Sequence, residues 1–426
     1  MLRAVMDTLR EREEQDFKKT GIRKWWTVES IEEVALAIKD GEQNLIGKKM
    51  RTADFTTMYT MLPHERLLDT VQTAWKRAVE YEGSKRNSNE KNWELKQDHE
   101  GKYYFAPSGP EESEDWDLAK YMELMKFLIT DNHIWNGKEL RRQKVGIPMG
   151  SPVSPHLANL FRYVVEAGFV EELLAKGQRK EAEACAYTFG YIDDLCTFDG
   201  PLPTEEQYGI PMTVDPCPKE TVNFLGMKIT ANKPDRPPRL SIVEKQEEWN
   251  LAVIKYPHAS SNIPWNQGAA VFKGQLIRYA VICNNLWDFQ TATIRLAGRL
   301  LQRGYKPGLL VATWRRYLQE RWPQQVAHKY RMQEWFQVAM VNLKWEIHKK
   351  SHQRDNAQVL MQPQRKKVVG KARIQVCIAS DTMEQGETSE DAGVAIVNAL
   401  KKQRSNAREA GRRSSMPVET HQECII

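Results

Sequence analysis

The sequence predicts an α+β fold, on three observations. Apolar residues recur at the 3.6-residue helical period in several stretches, most clearly Ile31–Ile38 and Leu67–Val79. Three other segments, around Arg51–Tyr59, Thr188–Phe198 and Thr221–Ile229, read as strands. Residues 245–350 then change character, to helical stretches in which Trp, Arg and Lys interleave. At 426 residues the chain is long enough for two or three domains with a real core.

Taken in order, residues 1–22 read as a charged, partly ordered helix. Ser30 caps the amphipathic helix that follows, because its hydroxyl can accept a free N–H of the first turn. Alternation predicts a strand from Arg51 to Tyr59, and Pro63 opens a helix bearing Leu67, Leu68, Val71, Trp75 and Val79. Residues 83–117 turn polar and are expected to be a surface insertion. Within them, Trp93–Lys96 and Tyr103–Phe105 flank a glycine turn and can pair as a hairpin. A helix follows at 118–130, then a Gly/Pro/Ser-rich loop from Gly146 to Pro155. The next helix carries Leu157, Leu160, Phe161, Val164 and Phe169 on one face. Thr188–Phe198 fits strand–turn–strand, and Thr221–Ile229 is a strand with a central glycine. Past His352 the sequence is polar, with apolar islands at Ile374–Ala379 and Val394–Leu400, the composition of a mostly disordered tail.

Formal net charge is +6 with a pI near 8.8, which suits a polyanionic partner without requiring one. The six cysteines form no CxxC pair and no Cys/His ligand spacing, so neither a disulfide framework nor a zinc module is indicated. Met1–Lys19 lacks the apolar core of a secretory signal, and no apolar run reaches transmembrane length. Cys424 lies third from the end, where prenylation needs the fourth position. No membrane partner is expected. Arg365-Lys366-Lys367 with Lys371 and Arg373 reads as a nuclear signal or as a solvated basic run, so the expected location is intracellular, nuclear before cytoplasmic.

The most informative feature is Tyr191-Ile192-Asp193-Asp194-Leu195, two adjacent acids between apolar residues. Two carboxylates about 4 Å apart repel by roughly 4 kcal/mol at an effective dielectric near 20. A buried strand tolerates that pair only where a cation absorbs the charge. A tight turn with two surface aspartates is the plain alternative. Company favours the first reading: Asp54 lies in Ala53-Asp54-Phe55-Thr56-Thr57-Met58-Tyr59 upstream, and the Gly146–Pro155 loop lies between.

Together, DFTTMYTMLP from Asp54, GIPMGSPVSPHLANL from Gly146, YIDD from Tyr191 and NFLG from Asn223 resemble blocks of the Penelope-like and telomerase-related branch of reverse transcriptases. The resemblance covers roughly residues 23–345, strong in these blocks and weaker after 245. It implies a right-hand polymerase: a palm of antiparallel sheet with helices on one face, partial fingers and an α-helical thumb. The implied domains are a charged N-terminal helix and partial fingers (1–50), the palm with its polar insertion (51–240), a thumb-like helical domain (241–350) and the tail (351–426). The implied reaction is RNA-directed DNA synthesis, with an RNA template, a DNA primer and dNTP substrates. It uses two Mg²⁺ ions, replaceable by Mn²⁺, as a primer 3′-hydroxyl attacks the dNTP. Magnesium takes carboxylate and phosphate oxygens, so acids from two strands must converge.

By the same resemblance, Asp54, Asp193 and Asp194 are catalytic and hold metal, with the Phe55 carbonyl assisting. Asp194 alternatively only shapes the field, and Asp199 is solvent-exposed. Tyr59 is the ring beneath the incoming sugar, excluding a 2′-hydroxyl; the bland reading is a core tyrosine on the strand. Gly150, Ser151 and Pro152 begin a helix whose free N–H groups meet a nucleotide or template base. Gln143 contacts the template, and Lys219 protonates pyrophosphate or is a surface lysine. Phe224, Leu225 and Gly226 form the primer grip. Arg278, Arg299 and Arg303 lie among Trp287, Tyr305 and Trp314 in the pattern of a thumb that tracks a phosphate backbone, a pattern solvated arginines also produce. Met149, where many relatives carry Gln, marks the branch. Few residues precede Asp54 compared with the family's fingers, Arg23 and Lys24 being the candidates to clamp a triphosphate, and no GIY-YIG-like nuclease block follows the thumb. The expectation is a polymerase with shortened fingers, a truncated copy or a piece of a polyprotein. The alternatives are a catalytically silent nucleic-acid-binding remnant and an RNA-dependent RNA polymerase.

Overall fold

The structure, a computed structural model, describes residues 1–87, 92–108, 115–231, 234–243, 254–264 and 266–360. Nearly all of these belong to one unit, Met1–Asp355; of a second, Asn356–Ile426, only the first five residues are described. Helix α1 (Leu2–Thr20) is fully formed, because Leu2, Val5 and Leu9 make a buried stripe that packs on α4 (His64–Lys85). Ser30 caps α2 (Ile31–Asp40) as expected, its Oγ accepting from the Glu33 N–H while the Glu33 carboxylate accepts from the Glu29 N–H.

Strand β1 (Met50–Asp54) stops sooner than alternation suggested. Its ladder partner β7 (Asp194–Phe198) ends opposite Asp54, so residues beyond Phe55 have no edge to pair with and turn into α3 (Met58–Met61). Hairpin β2 (Trp93–Gln97) and β3 (Tyr103–Pro107) pairs as predicted but is more than a surface insertion. Trp93, Leu95 and Phe105 enter the main core, where Trp75 lies 5.0 Å from Phe105 and 4.7 Å from Tyr121 of α5 (Leu118–Thr130). A second hairpin, β4 (His133–Asn136) and β5 (Glu139–Arg142), leads to the Gly146–Pro155 loop. Helix α6 (Ser154–Ala175) begins at Ser154 and not at Gly150, since Gly150 takes φ 91 and the Ser154 hydroxyl donates to the Pro148 carbonyl.

After α7 (Arg179–Ala184), β6 (Thr188–Tyr191) and β7 form the predicted strand–turn–strand. With α8 (Glu205–Tyr208) and β8 (Thr213–Val214) the central sheet is complete, in the order β6-β7-β1-β8, antiparallel throughout. One face, through Ala53 and Leu195, packs on α4 and α6. The opposite face, through Met50, Phe189, Cys196 and Phe198, is covered by α2 and by a separate sheet of β9 (Thr221–Phe224), β10 (Met227–Thr230) and β11 (Arg239–Ile242). Helices on one face alone is therefore not what is seen. Burial on both sides explains why β7 is buried at every position from Leu195 to Phe198, its one polar side chain there, Thr197, being satisfied by Thr188 at 2.8 Å.

Helices α9 (Gln267–Ile282), α10 (Leu286–Gln302), α11 (Pro307–Arg321) and α12 (Val326–Leu360) gather a second core on Phe272, Leu296, Trp314 and Phe336, with Trp314 stacked 4.8 Å from Phe336. The predicted tail thus begins as helix as far as Leu360. The apolar islands and the basic cluster at 365–373 lie outside the described residues. No helix among the described residues is long and apolar enough to cross a membrane.

Candidate active site

Asp54 and Asp194 close their strands as direct cross-strand partners. Such partners carry their side chains on one face, with Cβ atoms about 4.5–5.5 Å apart. Here it is the face that bears Met50, Cys196 and Phe198 further along. Tyr191 pairs with Asp194, so Ile192-Asp193 is a two-residue turn. Ile192 alone of the two takes positive φ, 52°, a conformation that β-branched residues rarely adopt. The Asp193 carbonyl accepts from the Phe55 N–H at 3.0 Å. All three acids therefore meet at one end of the sheet. Asp54 and Asp193 are exposed and Asp194 is half-buried, so the pair lies at the lip of the buried strand and not inside it.

Burial first, then the charge of Asp193, raises the Asp54 carboxyl above the ordinary aspartate range. The Tyr59 hydroxyl is also raised, by burial and then by Asp193 and Tyr191, which places it within the field of the turn. Tyr59 rides on α3, half-buried, and is not the strand-core tyrosine of the bland reading. The Gly146 loop holds it there. Ile147 N–H donates to the Tyr59 carbonyl at 2.7 Å, Gly146 N–H to the Leu62 carbonyl at 2.8 Å, and His64 Nε2 to the Gly146 carbonyl at 2.7 Å. Gly146 has φ 82, and a Cβ there would stand 2.5 Å from the Tyr59 carbonyl oxygen and 2.7 Å from the Thr60 carbonyl.

The acids offer only hard oxygen donors and repel one another, the chemistry that suits a divalent cation. Among the described residues, no group of three or more His, Cys, Asp or Glu side chains is already gathered to hold a metal ion.

Other predicted residues are dispersed. Gln143 supports the loop, its Nε2 donating to the Val145 carbonyl at 2.9 Å. Gly150 has open space beside it, and the Ser151 hydroxyl accepts from the Val153 N–H at 3.4 Å. Lys219 bridges Met50 at the far end of β1, about 13 Å from Asp54 at strand rise. Its Nζ pairs with Asp215 at 2.6 Å. Phe224 is buried, and Leu225 and Gly226 make the β9–β10 turn with φ 53 and 79. Arg278 approaches Glu32 at 3.6 Å, while Arg303, one helical turn after Arg299, donates to the Tyr256 carbonyl at 2.9 Å. Arg23 lies over the Phe189 ring and Lys24 pairs with Asp16 at 2.7 Å, so both are engaged in the body of the fold.

Sequence reasoning missed a cleft of about 940 Å³ between the outer face of β9–β11 and α10. Lys228, Arg236, Arg239, Arg295 and Trp287 line it, with Arg239 held by Asp288 at 2.6 and 2.8 Å and placed over Trp287 at 5.6 Å. The available signal was the polar alternation Thr221, Asn223, Lys228 and Thr230, opposite the buried Val222, Phe224, Met227 and Ile229.

No protein-family model and no curated protein matches the sequence. Among solved structures, the chain is similar to telomerase from Candida albicans in complex with the TWJ fragment of telomeric RNA, at 12% identity and TM-score 0.40, over 79% of this chain and 57% of that one. It is also similar to apo telomerase from Candida tropicalis, at 13% identity and TM-score 0.39, over 80% and 54%. The chain spans just over half the length of these telomerase chains.

Proposed function

We propose that the chain is an RNA-directed DNA polymerase of retroelement origin, of the Penelope-like branch, extending a DNA primer on an RNA template. One observation carries the reading: the β1–β7 register ends at Asp54 and Asp194 while the intervening turn sets the Asp193 carbonyl on the Phe55 N–H. Acids remote in sequence thus share one end of the sheet, with Asp54 and Asp193 exposed to solvent.

Asp54, Asp193 and Asp194, with the Phe55 carbonyl, are the residues that would hold two Mg²⁺ ions, which when bound neutralise the triphosphate and lower the pKa of the primer 3′-hydroxyl. The protein's own part is orientation. The sheet end fixes the acids, Tyr59 stands in the field of Asp193 where its ring can exclude a 2′-hydroxyl, and the Gly146 loop fixes Tyr59. In this reading the central sheet with α4 and α6 is the palm and α9–α12 the thumb. The cleft lined by Lys228, Arg236, Arg295 and Trp287 offers a phosphate backbone cations and a base one aromatic face. The test is primer extension on an RNA template with dNTPs and Mg²⁺. Asp193→Ala with Asp194→Ala is expected to abolish incorporation, and full activity in that variant overturns the assignment.

The second reading is a catalytically silent nucleic-acid-binding remnant, favoured by the lack of a gathered three-acid group among the described residues. Salt-dependent RNA binding without metal-dependent incorporation selects it.

A further inference from the structure

Behind the acid turn, Arg162 and Glu166 of α6 form an ion pair in which neither side chain has any solvent exposure. Arg162 Nε donates to Glu166 Oε1 at 2.9 Å, and its Nη1 donates to the backbone carbonyl of Ile192 at 3.1 Å. Ile192 is the strained apex residue, and its carbonyl is one bond from the Asp193 nitrogen. The guanidinium reaches it only because residue 190 of β6 has no side chain: a Cβ there would collide with Arg162 Nη2 and Cζ. Gly190 is not in the left-handed region, so its small size and not its backbone freedom is what the site uses.

On its other side the pair continues to the second acid strand. The Tyr208 hydroxyl donates to Glu166 Oε1 at 3.3 Å, and the fully buried Tyr208 ring meets Phe55 edge-on at 4.7 Å. Phe55 follows Asp54, and its N–H closes the path on the Asp193 carbonyl. A buried charge pair is a costly way to fill a core, and apolar residues of similar volume often serve stability as well or better. Here it ties both acid-bearing segments to one helix.

We propose that Arg162 is a positioning residue, resting on the polymerase reading: through Ile192 it holds the turn so that Asp193 stays beside Asp54 during catalysis. It touches no substrate. Its effect is to keep φ of Ile192 positive against the preference of a β-branched residue and so to fix where the Asp193 carboxylate stands.

The decisive variant is Arg162→Met with Glu166→Gln, which removes both charges together and so avoids stranding a buried carboxylate. Two readouts are made on the full chain. Amide hydrogen exchange at Phe55, whose N–H is held by the Asp193 carbonyl of the turn, is expected to accelerate about tenfold or more while amides in the middle of α6 keep their protection, the pattern of a local opening. Primer extension is expected to lose about tenfold to a hundredfold in kcat with KM for dNTP within about twofold, because misplaced acids slow chemistry without removing substrate contacts. Gly190→Ala, which crowds the guanidinium from the other side, is expected to give the same kcat loss. Unchanged exchange at Phe55, or a loss spread evenly over α6, overturns the proposal. If the unaltered chain incorporates no dNTP, the polymerase reading fails by itself, and the exchange measurement still decides whether Arg162 holds the turn.

Discussion

Replacing Gly146 with alanine isolates the joint between the Gly146–Pro155 loop and Tyr59. Two costs add. At φ 82 an alanine adopts the left-handed region, worth roughly 1–2 kcal/mol. Its Cβ would also stand 2.5–2.7 Å from the Tyr59 and Thr60 carbonyl groups. Those are backbone atoms, tied by the 2.7 Å bond from Ile147 N–H to Tyr59, so no side chain can swing aside. Relieving such overpacking costs roughly 1–3 kcal/mol. The expected destabilisation is therefore about 2–5 kcal/mol, against a typical total of roughly 5–15 kcal/mol, so the variant still folds. Gly150→Ala is the internal control: φ is 91, but no atom lies within 4 Å of its Cβ, so only the conformational part, roughly 1–2 kcal/mol, is expected. Urea denaturation of both variants, compared at equal m, measures the difference. Equal losses, or a Gly146→Ala loss under about 0.5 kcal/mol, refute the packing of this loop against α3.

Asp193→Asn is expected to lower the Asp54 pKa toward its ordinary value without fully restoring it, since burial remains the larger cause; carboxyl NMR titration measures this. A carboxyl raised by the fold stabilises the native state least once ionised, so stability should fall as pH climbs through the Asp54 titration. Asp54→Asn should accordingly raise the unfolding free energy at neutral pH, by no more than about 0.5 kcal/mol because the side chain is exposed and screened. Tyr59→Ala is expected to narrow discrimination against ribonucleotides by about tenfold or more in single-nucleotide incorporation, and unchanged selectivity would remove Tyr59 from the sugar site. Lys219→Ala should leave the incorporation rate within about twofold and stability within about 0.5 kcal/mol, because its charge is spent on Asp215, which is itself bonded to Thr52.

What was legible in the sequence followed from period and capping. Ser30, Pro63, the β2–β3 hairpin and the Thr188–Phe198 hairpin all depend on neighbours a few residues away, and each forms where expected. That Asp54 and the Asp193–Asp194 pair come to one end of the sheet was readable from the family resemblance of their blocks and not from burial, since the pair lies on a turn with Asp193 exposed. The end of β1 was not, since it depends on where β7 stops, a fact about a partner far along the chain. Nor could local pattern show that both faces of the central sheet are covered, or that Lys219 and the arginines at 278 and 303 find protein partners. Arg162 and Glu166 have the i, i+4 spacing that helix-surface pairs share, so the sequence did not single them out; their complete burial against Gly190 depends on a strand distant along the chain.

Burial on both faces also explains how an exposed cluster of like charges can be held rigidly at a sheet end. A slip of β7 by one residue against β1 would send Leu195 toward α2 and Cys196 toward α6, and would part Asp54 from Asp194 onto opposite faces. The energy resisting that slip is the apolar burial of Ala53, Leu195, Cys196 and Phe198, not any interaction among the acids, which oppose one another. Core and site therefore divide the labour. The two-sided core sets which residues face each other, and the Arg162–Glu166 pair sets the one element the register leaves open, the turn beyond the last rung. Stability and reactivity should thus respond to different substitutions in the same hairpin: changes at Leu195 or Phe198 lower the denaturation midpoint, while changes reaching Ile192 alter chemistry first.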